Sequence, residues 1–187
     1  MRSIVLTIAV LVGVNCWALT FEGTISKTKT SVAFLNKSDN KRYDLTSGTP
    51  LIATYIAKLS DGDFVSVDGS RDVVESRLTI NSINYVGLKS LIGTWYGDND
   101  FCYNFMNNTD FNVSRRSGRR CMPTSDFTYT YLLNPDSRNQ GWVMLVSGEY
   151  RSFVGDLKIV SASTARLQLY DSETGEVMSS LNLTRMK

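Results

Sequence analysis

The second half of the chain is a series of short runs in which apolar and polar residues alternate, and each run ends in turn-forming residues. Alternation of this kind places every second side chain on one face of a β-strand. We predict eight strands from these runs, at 92–97, 101–106, 110–116, 126–133, 141–147, 150–159, 164–170 and 176–184. Short strands at this spacing are typical of a small antiparallel barrel or sandwich.

The first half combines five strand-like runs with the strongest helix signal of the chain. Thr49 can cap a helix that begins at Pro50, and apolar residues then recur at helical spacing as far as Leu59. Three of the strands precede this helix and two follow it. That order, over 21–86, resembles an OB-fold, a five-stranded barrel with a helix between its third and fourth strands.

A second resemblance concerns the two ends of the strand-rich half. Gly93-Thr94-Trp95 opens its first strand, and Arg185 closes its last. This arrangement resembles the calycin superfamily, which includes the lipocalins, where a Gly-x-Trp begins the barrel and a late arginine packs over the tryptophan ring. The resemblance implies structural roles for Trp95 and Arg185 at a sealed end of the barrel. The second half of the chain is short, and its length is closer to that of compact calycins, such as bacterial metalloprotease inhibitors, which act by surface contact.

We therefore predict an all-β protein of two domains. The first, at 19–88, is an OB-like five-stranded barrel with one helix, and the second, at 89–187, is a small antiparallel eight-stranded calycin-like barrel. The joint between them falls near Gly87-Leu88-Lys89-Ser90.

The first 18 residues have the features of a secretory signal peptide. Arg2 precedes an apolar run at 4–14 that is too short to span a bilayer, and Cys16-Trp17-Ala18 supplies small residues for cleavage. An alternative is that Cys16 carries a lipid. We predict a periplasmic or secreted protein without a transmembrane segment in the mature chain. It resembles exported proteins of Gram-negative bacteria, a similarity that implies no activity.

Removal of the signal leaves two cysteines, Cys102 and Cys121, and two cysteines in an exported chain suggest one disulfide. The chain has no histidine, which excludes His-based catalytic triads and His-containing zinc sites. Known nucleophile and phosphate-loop motifs are also missing from the sequence. We therefore predict a protein that is not an enzyme and that holds no cofactor or metal; a hydrolase acting through paired carboxylates is the enzymatic alternative.

A calcium site is a weaker alternative for the acidic turns of the second half. Asp98-Asn99-Asp100, with Asp110 and Asp126, offers the oxygen ligands that calcium prefers, although the twelve-residue calcium-loop pattern is missing.

The most distinctive local feature is a cluster of four arginines around a Ser-Gly turn, Arg115, Arg116, Arg119 and Arg120. Functionally it suggests a site for an anion, such as a phosphate, a lipid headgroup or a nucleic-acid backbone, or for a partner. Two alternatives stay open, a solvated hairpin tip whose charges maintain solubility and a target for proteolysis.

Two further binding sites follow from the aromatic residues. Tyr129, Trp142 and Met144 are expected to line an apolar cavity inside the second barrel. Aromatic and basic residues of the first half suggest single-stranded nucleic acid or oligosaccharide binding. Nucleic acid is not expected as a partner, because 20 basic residues nearly balance 18 acidic ones.

Taken together, the sequence predicts an exported, non-enzymatic binding protein whose partner is a protein or a cell-surface component. The alternatives are a carrier of a small apolar ligand in the C-terminal barrel, and a binder of oligonucleotide or oligosaccharide on the OB-like domain.

Overall fold

The computed structural model describes residues 19–123, 127–136, 141–149 and 151–186. The predicted signal peptide, including Cys16, lies outside the described residues. The prediction of an all-β protein is confirmed, because the described part of the chain contains fourteen strands and a single helix.

The first five strands enclose a small core. They are Leu19–Lys27 (β1), Val32–Asn36 (β2), Arg42–Ser47 (β3), Phe64–Asp72 (β4) and Arg77–Gly87 (β5). β2 pairs with β1 and β3, β4 pairs with β1 and β5, and β3 pairs with β5 in parallel. The five strands are therefore paired in a closed cycle, β1-β2-β3-β5-β4 and back to β1. That this unit is an OB-fold stays a prediction.

The single helix, α1 at Pro50–Lys58, lies between β3 and β4. Thr49 is its N-cap and accepts a hydrogen bond from the Ile52 amide at 3.3 Å, as the sequence pattern predicts. Its buried residues, Ile52, Tyr55 and Ile56, pack into the core beneath the five strands.

The nine remaining strands comprise the eight of the closed antiparallel barrel that was predicted and one short strand outside it. They are Gly93–Gly97 (β6), Phe101–Phe105 (β7), Asp110–Ser117 (β8), Arg120–Cys121 (β9), Phe127–Pro135 (β10), Trp142–Ser147 (β11), Ser152–Ser161 (β12), Thr164–Asp171 (β13) and Val177–Arg185 (β14). Consecutive strands pair from β6 to β8 and from β10 to β14, while β14–β6 and β8–β10 pairings close the ring. Among the described strands, β9 pairs only with β8, outside the ring.

The two units meet through one continuous core. Leu133 of β10 pairs with Val86 of β5, and both are fully buried. Leu88 and Leu91, between β5 and β6, are also buried in the same apolar cluster. The joint predicted from the sequence falls at this point of the chain, where the two units share their apolar contacts.

The predicted disulfide is confirmed. Cys102 of β7 is bonded to Cys121 of β9, with 5.9 Å between their Cα atoms. It ties the short hairpin of β8 and β9 to the wall of the barrel. Within the described ranges, no helix is long and apolar enough to cross a membrane.

Candidate ligand site at the barrel mouth

One end of the barrel is sealed by Trp95 and Arg185. Trp95 is fully buried, and its indole nitrogen donates a hydrogen bond to the Leu91 carbonyl at 2.8 Å. The Arg185 guanidinium lies 5.4 Å from the indole ring and donates to the Ser90 and Ile92 carbonyls. These contacts close the end of the barrel that faces the five-stranded unit.

The opposite end opens into an apolar cup of about 240 Å³. Its walls come from the inward faces of seven strands and from the turn before β7. They consist mainly of aromatic and aliphatic side chains: Asn99, Phe101, Tyr103, Phe111, Val113, Phe127, Tyr129, Val146, Phe153, Leu167, Leu169, Met178 and Ser179. A wider opening of about 650 Å³ adjoins the cup, shares Phe127, Tyr129 and Phe153 with it, and adds Glu149 and Arg151.

Tyr129 is the centre of the aromatic wall of the cup. Its ring stacks on Phe111 at 5.2 Å between centroids and meets Phe153 edge-on at 6.3 Å. Gly148 makes this position possible, because a Cβ atom there would lie 2.7 Å from the Tyr129 ring. The wall is therefore held in place by its neighbours and is available to contact a ligand.

The cup offers few polar groups, and the described residues that line it include no charged side chain. Asn99 donates a hydrogen bond to the Tyr103 hydroxyl at 2.8 Å, and burial raises the pKa of that hydroxyl above its ordinary value. Tyr103 therefore stays neutral at ordinary pH. An uncharged apolar molecule with one or two hydrogen-bonding groups suits such a lining.

Only one of the three predicted cavity residues lines this cup. Tyr129 does so, but Met144 is fully buried in the core below, and Trp142 lies near the sealed end, where it lines two surface cavities. The side chains of all three residues lie on the inward faces of their strands, as the alternation predicts. Sequence reasoning missed Phe101, Phe111 and Phe153, although alternating aromatic residues on their strands are a signal that could have found them.

The four arginines lie on the β8–β9 hairpin in different environments. Arg116 donates from Nε to the Gly118 carbonyl at 2.6 Å, and its guanidinium lies 4.6 Å over the Tyr96 ring. Arg115, Arg119 and Arg120 are exposed. The hairpin turns at Gly118, whose φ of +60° favours glycine.

The other predicted groupings are not assembled as sites. Within the described ranges, acidic and cysteine side chains form no group of three that could hold a metal ion, and Asp126 lies outside these ranges. Asp98 instead accepts two hydrogen bonds from Asn182. In the five-stranded unit, Phe34, Tyr43 and Tyr55 are buried and so cannot stack on bases.

Comparisons with protein-family models, curated proteins and solved structures found no match to this chain.

Proposed function

We propose that this protein is a non-enzymatic binding protein that holds a small, mainly apolar ligand in the mouth of its eight-stranded barrel. The observation that supports this proposal is the aromatic cup, which is open at one end above a filled core and a sealed base. Apolar concave sites with a few hydrogen-bonding groups are the usual form of small-molecule binding sites.

The exposure of apolar residues at the rim supplies a driving force for binding. Phe127 is 55% exposed and Met178 is 45% exposed, although both line the cup. A ligand that covers them gains about 25 cal/mol for each Å² of apolar surface removed from water.

The proposal is tested by titration with the neutral apolar dye N-phenyl-1-naphthylamine, followed by fluorescence. We expect saturable binding of one dye per chain. Met178→Asp places a charge at the rim and is expected to weaken binding by about tenfold, which corresponds to about 1.4 kcal/mol. Native mass spectrometry of the gently purified protein would then identify a retained ligand.

Val177→Asp is the matched control, because Val177 is 56% exposed on the same strand but does not line the cup. Its dye affinity should equal that of the wild type. Equal losses in the two variants, or the lack of saturable binding by the wild type, would contradict the proposal.

A second candidate function is the binding of an acidic partner surface by the arginine hairpin at 115–121. It is supported by the exposed Arg119 and Arg120 on a hairpin that the Cys102–Cys121 disulfide anchors. Arginine forms paired hydrogen bonds with phosphate and carboxylate groups, so an anionic surface is the fitting partner.

Sedimentation with anionic and with neutral lipid vesicles tests this second function. We expect R119S/R120S to reduce salt-sensitive binding to anionic vesicles, whereas K41S/R42S, which removes two exposed charges from the other unit, should leave it unchanged. If the two double variants reduced vesicle binding equally, the hairpin would contribute only to the overall positive charge and would not be a specific site.

We also infer that the five-stranded unit is OB-like and that the protein acts in the periplasm or outside the cell. The strand order β3-β2-β1-β4-β5, with a parallel β3–β5 pairing and α1 between β3 and β4, supports the first inference. The disulfide and the signal-like N-terminal segment support the second. Nucleic acid binding on this unit has little support, because several of its aromatic rings are buried.

A further inference from the structure

A second cavity, separate from the barrel mouth, lies where the five-stranded unit meets the sealed end of the barrel. Its volume is about 320 Å³. Lys58 and Ser60 contribute from the end of α1 and the following turn, Ser90 from the joint, and Lys158 from β12. Residues from both units, among them two lysines and two serines, therefore line one space.

Lys58 is the unusual member of this lining. Its Nζ atom is shielded from solvent and has no hydrogen-bond partner in the described part of the chain. The Tyr55 ring lies 5.2 Å away and the end of α1 lies beside it, and both attract a positive charge. Neither replaces the hydrogen bonds that a buried ammonium group loses when it leaves water.

The acidic residue of the lining does not neutralise these lysines by direct contact. Asp63 accepts hydrogen bonds from the backbone amides of Ser60 and Lys89, at 2.7 and 2.9 Å. Its carboxylate is thus bonded to its own turn and to the joint between the units, and burial raises its pKa. The lining therefore includes two lysines and one carboxylate whose oxygens already accept hydrogen bonds, so an anion is the ligand whose charge would complement it.

We propose that this cavity binds a small oxyanion of the phosphate type, either free phosphate or the terminal phosphate of a small molecule. The several acceptor oxygens of such an anion match the Lys58 and Lys158 ammonium groups and the two serine hydroxyls. Binding would also provide Lys58 with the partner that its buried Nζ lacks. The site is independent of the apolar ligand proposed for the barrel mouth.

Isothermal titration of the oxidised protein with inorganic phosphate, at ionic strength held constant with chloride, tests this inference. We expect saturable binding of one phosphate per chain. Lys58→Met keeps most of the length of the side chain but removes its charge, and should weaken binding by about tenfold or more. Lys158→Met, at an exposed position, should also weaken binding without endangering the fold.

Lys29→Met is the matched control, because Lys29 is exposed in the turn between β1 and β2, away from the cavity. It should bind phosphate as the wild type does. Without phosphate, Lys58→Met should unfold at a urea concentration no lower than the wild type, because it removes a buried charge that has no hydrogen bond.

Comparison of phosphate with glycerol 3-phosphate separates the two sources of the anion. Equal affinities indicate that the free ion is sufficient, and tighter binding of the ester indicates that the site recognises a phosphate carried by a larger molecule. A wild-type protein that binds neither compound, or a Lys58→Met variant that binds as well as the Lys29→Met control, would overturn the inference.

Discussion

Arg185 connects three parts of the sealed end through one side chain. It covers the Trp95 ring and donates hydrogen bonds to two carbonyls of the segment that enters the barrel, those of Ser90 and Ile92. Gly93 allows this approach, since its φ of +126° favours glycine and a Cβ atom there would lie 3.2 Å from the guanidinium. The residue therefore holds the first and last strands of the barrel together.

Arg185→Met should lower the free energy of unfolding by about 2–4 kcal/mol, because the stacking interaction is lost and two carbonyls lose charge-assisted donors. Urea denaturation followed by fluorescence measures this change. Arg166→Met, at an exposed position on β13, is the control and should change the stability by less than about 0.5 kcal/mol. Similar losses in the two variants would contradict a sealing role for Arg185.

Gly148→Ala should disturb the cup without a change in charge. The new methyl group would lie 2.7 Å from the Tyr129 ring, so the ring must move away from its position against Phe111. We expect a loss of stability of about 1–3 kcal/mol, as in other overpacked sites. The dye titration should also show altered affinity, whereas Ser147→Ala at the exposed neighbouring position should preserve both properties. An unchanged Gly148→Ala variant would mean that the wall is more adaptable than its contacts imply.

At the scale of strands and helices, local patterns in the sequence carry most of the information. Period-two alternation predicted the eight barrel strands, and the Thr49-Pro50 start predicted α1. β9 was missed because two residues are too few to show a period, and its pairing depends on the hairpin and on a distant cysteine.

The depth of each side chain inside the barrel could not be predicted from these local patterns. Tyr129 and Met144 both point inwards, yet one reaches the cup and the other is fully buried below it. Depth depends on how far neighbouring strands are staggered, and stagger is set by pairing across the whole ring. For this reason the interior face could be predicted from the sequence, but the lining of the cup could not.

The disulfide is the main constraint on the β8–β9 hairpin. C102S/C121S should lower the free energy of unfolding by about 3 kcal/mol, because the bond closes a loop of about 20 residues in the unfolded chain. Chemical denaturation of this variant, beside wild type with and without reductant, gives the measurement. The reduced wild type should match the double variant; a reduced protein as stable as the oxidised one would show that the hairpin is held by other contacts.

For the whole molecule, the continuous core predicts that the two units unfold together. Ile25→Ala removes a buried side chain of the five-stranded unit and should cost about 2–5 kcal/mol. In the predicted mature chain, the remaining tryptophans, Trp95 and Trp142, both lie in the barrel. Their fluorescence transition should nevertheless shift as far as the circular dichroism transition of the entire protein.

Leu35→Ala is the control for this experiment, since Leu35 is 42% exposed on β2 and should cause little change. A fluorescence transition that stays in place in Ile25→Ala, while the dichroism signal divides into two steps, would instead indicate two domains that fold independently.

Acid is expected to destabilise the protein. Hydrogen bonds to four carboxylates lower their pKa values. The chief donor is the Lys41 amide for Asp39, the Thr20 hydroxyl for Asp68, the Asn182 side chain for Asp98 and the Thr174 amide for Asp171. Stability from these groups is present above the unfolded pKa of about 3.9 and is lost as the pH falls through the lower folded values.

Asp63 acts in the opposite direction, because burial raises its pKa and its contribution is lost as the pH rises through that raised value. Four groups with lowered pKa values oppose one with a raised value. We therefore expect the urea concentration at the midpoint of unfolding, measured between pH 7 and pH 2.5, to decrease once the pH drops below about 4. Asp68→Asn should show a shallower fall, and a midpoint that does not change with pH would contradict these shifts.

The sealed end also bears on how the protein folds. Arg185 bonds to carbonyls that lie 93 and 95 residues before it, and β14 must reach β6 before the ring is complete. Contacts between such distant parts of a chain form slowly, with folding times on the order of milliseconds to seconds in proteins of this kind. During synthesis β6 emerges long before its partner strand, so the barrel can close only after β14 has also emerged.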